Sequence, residues 1–500
     1  MTDEFLWLAL WSVMLVVAAG NLLTPALYSH VALVGGKWGL LFGGLLVVAA
    51  GLQVMGGVAF LRRRDAGLAA LMLVVFFAAQ AMQCARAMGS GTQNRGVDFS
   101  AYYLAGKLVP PAPASVSTPA DGSLYQLPLY ADGRMNLNSE VAESSAWHAD
   151  AVHYHLPFAA PFIYPPLFAL LMKPFALLSF ALAYRVWSLL SVLLVVAAAV
   201  LSLDLGGVKI DLKLALILGV GVFSFYPLID NLFYGQMGGV ILFLFAASVW
   251  LLAKERDWLS ALCLAVATLI KLTPALAIPV LVFHRRWKWL AAYAVWLIAL
   301  TALSVQQVGW AAHGEFVHRV LPSISGGAPV CQNSSIMAVV QEWFMGRVPL
   351  SQNAPASLPA YACAVSRVVA LAVYAWLLLR CYRRRGEGLV VSDIIAMALL
   401  GIVISPISWW HHYTLGLLAF LYLLGKRPAR GNGLLLLLFF AVSTNIVGIV
   451  RILVVNHAMQ LLLAPIIPGL TIAAVHVMLA PETKASVVGD EIAAAAASGA

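Results

Sequence analysis

Apolar runs of about 20 residues recur along the 500-residue chain, divided by short basic stretches and two longer polar ones. A helix of that length rises about 30 Å, the hydrocarbon thickness of a bilayer. A water-soluble globule could not hide so many runs, because 62% of the residues are apolar and only 10% are charged. An ordinary soluble domain carries about 25% charged residues to cover its core. The fold class is therefore an all-α polytopic membrane protein with about 12–14 transmembrane helices. The net charge of +9 does not mark a nucleic-acid surface. Basic residues gather at Arg62–Arg64, Arg285–Lys288, Arg380–Arg385 and Lys426–Arg430, between apolar runs, which is how cytoplasmic loops anchor membrane helices.

Candidate spans cover 5–27, 38–61, 67–88, 162–178, 183–203, 212–228, 230–253, 258–283, 287–306, 361–380, 390–408, 412–425, 432–450 and 455–479. The first lacks a basic leader and a small-residue cleavage site, so it reads as a retained helix rather than a signal peptide. Placing Arg62–Arg64 in the cytoplasm puts the loop after residue 88 outside. Simple alternation then returns the clusters at Arg285, Arg383 and Arg427 to the cytoplasm. The middle is less regular. Segments 162–178 and 212–228 are short, and 258–283 is interrupted at Lys271-Leu272-Thr273-Pro274, where proline removes a backbone donor. One or two re-entrant segments here would change the side on which Asn231–Gln236 sits.

The resulting organisation is a group of transmembrane helices over 1–88, an outer loop over 89–161 and a transmembrane core over 162–306. A second outer loop over 307–360, C-terminal transmembrane helices over 361–480 and a disordered alanine-rich tail over 481–500 complete it. Cys84, Cys263, Cys331, Cys363 and Cys381 show neither paired spacing nor a metal-ligand pattern. No internal repeat is visible, which disfavours the repeat-built transporter folds.

Both long loops hold residues suited to chemistry. Asp98 opens the first, ahead of a short helix expected over Phe99–Val109 that carries Tyr102 and Tyr103 at the interface. A carboxylate there can accept a proton from a hydroxyl, or it can simply cap the helix. Trp409, His411 and His412 follow the 390–408 span in Ser405-Pro406-Ile407-Ser408-Trp409-Trp410-His411-His412. Adjacent histidines diverge on a helix and are poorly placed to chelate one metal. One of them can hold a phosphate or a sugar, or both can belong to an interfacial aromatic belt. Lys271 inside an apolar stretch costs roughly 2.5–3.5 kcal/mol and so needs a partner or a cavity. Tyr164, Asn231, Gln236, Asn333 and Ser408 are further polar candidates, and Arg319 can pair with a phosphate or stand as an exposed loop cation.

In order, Asp98-Phe99 with Tyr102-Tyr103, Tyr164-Pro165-Pro166-Leu167, Asn231 with Gly235-Gln236, Ile270-Lys271-Leu272-Thr273-Pro274, Asn333-Ser334-Ser335, and Ser405-Pro406-Ile407-Ser408-Trp409 with His411-His412 resemble the landmarks of glycosyltransferase family 87. The likeness runs from about residue 90 to residue 480. It departs at the N-terminus, where three helices rather than one precede the Asp98 loop and the first two look like an addition. It also departs at Asn333-Ser334-Ser335, where the family more often has Asn-Gln-Ser.

The resemblance implies a GT-C-type fold and an inverting transfer of a sugar, mannose being the best-known, from a polyprenyl-phosphate donor to a glycolipid or glycan acceptor. It implies Asp98 as base, His411 and His412 as catalytic candidates, and Tyr102, Tyr103, Tyr164, Asn231, Gln236, Lys271, Arg319, Asn333, Ser408 and Trp409 as substrate or donor contacts. The site is expected at the outer face of a bacterial plasma membrane, among membrane lipids. Neither a metal nor another cofactor is expected, since the outer loops lack a paired-aspartate metal motif, and no nucleic acid is an expected partner. The competing readings are a flippase or transporter for a lipid-linked glycan, which would need no base, and a non-catalytic envelope scaffold.

Overall fold

The computed structural model describes residues 96–109, 124–136, 143–211, 225–346, 357–386, 390–426 and 456–479, with positions 215, 222, 438, 439, 441–443, 447 and 451 between them. The three spans expected before residue 89, the Arg62–Arg64 cluster, most of the 432–450 span and the 481–500 tail lie outside the described residues. Within them the chain is helical, and extended pairing is confined to the isolated bridge between Leu129 and Met135. Among the described residues, four helices are long and apolar enough to cross a membrane. The protein is an all-α polytopic membrane protein.

In chain order the helices are α1 (Val97–Leu108), α2 (Ala146–His153), α3 (Pro166–Ala176), α4 (Phe180–Gly206) and α5 (Tyr226–Tyr234). They continue as α6 (Gly238–Ala253), α7 (Asp257–Ile270), α8 (Thr273–Phe283) and α9 (Trp287–Val308). The last are α10 (Ile336–Met345), α11 (Ala360–Arg383), α12 (Val390–Ile404), α13 (Gly416–Lys426) and α14 (His457–Met478).

The longest helix, α4, gives the bundle two ends. Phe180 at its start packs on Phe99 and Tyr103 of α1, with ring centroids 5.7 and 5.5 Å apart. At its other end Asp204 accepts from Trp250 Nε1 at 2.7 Å and pairs with Lys254 at 3.2 Å. We call these the Asp98 end and the far end. Helix α4 is apolar on all sides, as a helix packed among helices and lipid must be, and Gly207 closes it with a left-handed φ of 77°.

Two expected spans take other forms. Helix α3 has 11 residues, a rise of roughly 16 Å, which is about half a bilayer core. Tyr164, just before it, bonds Tyr102, while the Leu178 carbonyl just after it accepts from Tyr103. Both ends of α3 therefore lie beside α1, and the helix does not cross. The 258–283 span is a V. Arg286 Nη2 reaches the Leu252 carbonyl at 3.5 Å, so the turns flanking α7 and α8 share the far end. His284 meets Asp393 at 3.0 Å there, and Phe283 packs on Tyr382 at 5.4 Å. Helix α7 climbs from that end, the chain breaks at Lys271, and α8 descends again. Pro274 cannot donate to the turn before it, which is why the ladder opens at that point.

The 230–253 span is likewise divided. Pro227 sits in the first turn of α5, and Gly235 ends the helix with a φ of 70°. A side chain at 235 would also lie 2.6 Å from Phe99 Cβ, so the turn between α5 and α6 packs directly on α1. Two apolar cores result. One fills the bundle around α6, α12 and α13; the other joins α1, α3 and the stretch between them through Phe99, Tyr102, Tyr125, Trp147, Phe162 and Phe168. The turn at Gln236 and Met237 lies where they meet.

Candidate functional site

Asp98 occupies the second position of α1, and the residue at the cap is Gly96, whose φ is 71°. The capping role is thus not taken, although the first turn of a helix still favours a carboxylate. One Asp98 oxygen instead accepts from Gln236 Nε2 at 2.8 Å. The other end of that amide is fixed as well, because Tyr102 donates to Gln236 Oε1 at 2.8 Å and its oxygen lies 3.1 Å from the Tyr164 hydroxyl. Tyr102 is fully buried between Phe168 and Trp187. The amide can hardly rotate, and the carboxylate is held in one direction. Burial pushes the Asp98 carboxyl above its ordinary range, while nearby His411, the Gln236 hydrogen bond and Lys271 pull it part of the way back and Asp230 opposes them.

The two histidines have different settings. His411 Nδ1 lies 3.1 Å from Asp230 Oδ2 on α5, and its Nε2 is buried without a partner. His412 Nδ1 accepts from the Trp409 backbone N–H at 3.2 Å, which leaves Nε2 as the donor of its neutral ring. The rings meet edge to face at 4.6 Å. Both line a partly open cavity whose wall also holds Gln236, Gly238, Lys271, Thr273 and Ser405. Lys271 reaches it from the apex of the V, and this satisfies the need of a membrane cation for a cavity. Lys271, His411 and His412 thus share one compartment at the end of the bundle away from the Arg285 and Arg383 clusters, and Asp98 bonds Gln236 of its wall, near enough to His411 and Lys271 to feel their charges.

Other candidates stand apart from that wall. Tyr103 spends its hydroxyl on the Leu178 carbonyl at 2.7 Å. Arg319 is half-exposed and paired with Glu315 at 2.8 Å, one helical turn away. Asn333 is fully buried, and all its hydrogen-bonding capacity goes to backbone. Its Nδ2 donates to Ala328 and Pro406 carbonyls, and its Oδ1 accepts from the Ser335 and Ser408 N–H groups. With the Ser334 N–H donating to the Ser408 carbonyl at 2.9 Å, the 307–360 stretch is stitched to the segment that carries the histidines. Asn333 and the backbone of Ser408 therefore position that segment. The Trp409 ring is not on the cavity wall, and Asn231 is buried behind Gly238, its amide without a partner among the described residues. Among those residues no cluster of His, Cys, Asp or Glu could hold a metal ion.

Residues 162–406 match the family model of glycosyltransferase family 87. Over that stretch the chain is similar to the family. The matched segment contains Tyr164, Gln236 and Lys271; His411-His412 lie just beyond its C-terminal end, and Asp98 lies well before its start. A polyprenol-phosphate-mannose-dependent α-(1-2)-phosphatidylinositol pentamannoside mannosyltransferase of Mycobacterium tuberculosis is 29% identical over 298 residues, which is 59% of this chain and 65% of that protein. The Mycolicibacterium smegmatis protein of the same description is 27% identical over 261 residues, 51% of this chain and 59% of its own length. A phosphatidylinositol mannoside mannosyltransferase from the same organism is 24% identical over 292 residues, 53% of this chain and 62% of its own length. The chain thus spans less than two thirds of each of these curated relatives. A family 87 protein is of GT-C type, in keeping with the helical bundle and the cavity at one end of it.

Sequence reasoning missed Asp230. It sits next to Asn231 in an apolar segment, and an acid there carries the same insertion cost that singled out Lys271.

Proposed function

We propose that the protein transfers a mannosyl residue from a polyprenyl phosphate to a phosphatidylinositol-mannoside-like glycolipid at the outer membrane surface, with inversion and with Asp98 as base. The observation that carries this reading is the cavity wall and what stands behind it. Lys271 and two imidazoles line the cavity, and Gln236 of the same wall orients the Asp98 carboxylate within reach of their charges. A lipid-linked sugar phosphate offers the complement, an anion at headgroup level and an anomeric carbon beside it. Names of the mycobacterial relatives supply the donor and the acceptor class, and the basic clusters at the far end support the outer placement.

In the step we infer, the acceptor hydroxyl oxygen bonds to the anomeric carbon as its proton passes to Asp98. The bond from that carbon to the phosphate oxygen breaks, and its electron pair leaves with the polyprenyl phosphate. Lys271, His411 and His412 hold the charge that develops there, an arrangement that is strongest in a water-poor site. A phosphate leaves without a strong acid, so a second carboxylate is not needed, unlike in most glycosidases.

The test is transfer from synthetic polyprenyl-phosphate mannose to an extracted phosphatidylinositol mannoside fraction by the purified, lipid-reconstituted protein. The α-linked product and its inversion are read by NMR. Absence of sugar transfer with intact donor binding would leave the flippase reading instead.

A further inference from the structure

We propose that Asp230 is a positioning residue of the transfer site, holding His411 as the doubly protonated ring that donates to the departing phosphate. The inference rests on the transfer reading above and adds a residue to it. Asp230 belongs to α5, and His411 to the turn that packs against α5, so the pair joins two elements far apart in sequence. The carboxylate takes the Nδ1 side of the ring at 3.1 Å. His411 lines the cavity and is only 5% exposed, and its Nε2 is buried without a partner.

Hydrogen-bond logic then restricts the ring. A carboxylate only accepts, so Nδ1 must carry a proton. A neutral ring of that tautomer presents a lone pair at Nε2, and a lone pair repels a phosphate oxygen. Only the imidazolium can donate to Asp230 and to the phosphate together. His411 faces His412 at 4.6 Å and Tyr234 at 6.2 Å, Lys271 lines the same cavity, and Asp98 acts on His411 only through its charge, so Asp230 is the acid in direct contact with it. As the bond to the anomeric carbon breaks, the Nε2–H bond strengthens on the oxygen that receives the electron pair, and no other reactant is required. Carboxylate partners of imidazoles act the same way on metal-bound histidines, where their loss costs 10–100-fold.

Asp230→Asn keeps the shape and can still bond Nδ1, now leaving a neutral ring that donates from Nε2. Donor binding should survive and the gain specific to charge build-up should not. Kinetics of the reconstituted protein with polyprenyl-phosphate mannose should show kcat lowered by about 10–100-fold, with KM for the donor changed less than about threefold. In a His411→Gln background the same substitution should cost nothing more, and Asp230→Glu, which retains the charge, should turn over faster than Asp230→Asn. Wild-type kcat in Asp230→Asn overturns the proposal, as does a rise confined to KM. Full additivity with His411→Gln, or Glu no better than Asn in melting-matched preparations, also overturns it. A silent wild type refutes the transfer reading and this inference with it, whereas an active wild type with an unaffected Asp230→Asn refutes the inference alone.

Discussion

Burial makes the Asp98 carboxyl at the head of α1 costly to ionise, and only part of that cost is returned by His411, Gln236 and Lys271. Its pKa in the folded protein is therefore raised. For a group so shifted, the favourable contribution to stability is present below the unfolded pKa and is lost as pH rises through the folded one. At neutral pH, Asp98 should thus weaken the fold while serving the chemistry. Asp98→Asn is expected to melt no lower than wild type while its kcat falls by roughly 10²–10⁴-fold. Calorimetry and turnover on the same preparation check both halves, and near-normal turnover would remove the base. The acid limb of the rate profile should lie above the ordinary carboxylate range, since the ionised form is the active one. Gln236→Leu deletes one of the groups that lower this pKa, so the limb should move to higher pH. A limb that stays in place would show that Gln236 does not govern Asp98.

At the scale of elements, the site depends on two turns that touch no substrate in this reading. Gly235 is left-handed and lies against Phe99, next to Asp98 in the chain. Gly235→Ala adds about 1–2 kcal/mol of backbone strain, and its new methyl must push α1 aside. Activity should fall well beyond the loss of stability, and a variant with wild-type kcat would show that the turn does not set Asp98. Asn333→Ala leaves the Ser335 and Ser408 N–H groups unpaired, at roughly 1–3 kcal/mol each. Its melting temperature should drop, with KM changed less than stability. Asp98, Gln236, Lys271 and the histidine pair were legible because polar residues in apolar sequence demand a reason. The task of Asn333 was not, since an amide that staples backbone and one that binds sugar look alike in sequence. The helix over Val97–Leu108 was visible, but its glycine cap was not, because Asp98 is itself a favoured cap.

Across the whole molecule, hydrophobic runs located the helices but not every crossing. Length distinguishes a 27-residue helix from an 11-residue one, yet an apolar helix buried in protein and one facing lipid share the same composition. Simple alternation counts α3 as a crossing and α7 with α8 as a single pass. In the structure α3 stays at the Asp98 end, and the V returns to the end it left. Each departure changes the parity by one, so together they cancel, and the Arg285 and Arg383 clusters keep the side expected of them. Between the two departures the sidedness is inverted. Residues 254–256 lie at the far end with Arg286, and Asn231–Gln236 come to the Asp98 end. This difference can be measured in a cysteine-free background with an impermeant maleimide on intact cells. Ala131→Cys and Ser357→Cys, exposed positions of the two outer loops, should label directly. Arg256→Cys and Arg385→Cys, also exposed, should label only after permeabilisation. Labelling of position 256 from outside would restore simple alternation and detach Lys271 from the cavity. With position 256 protected, the V stands, and the cation enters the site from a segment that never crosses the membrane.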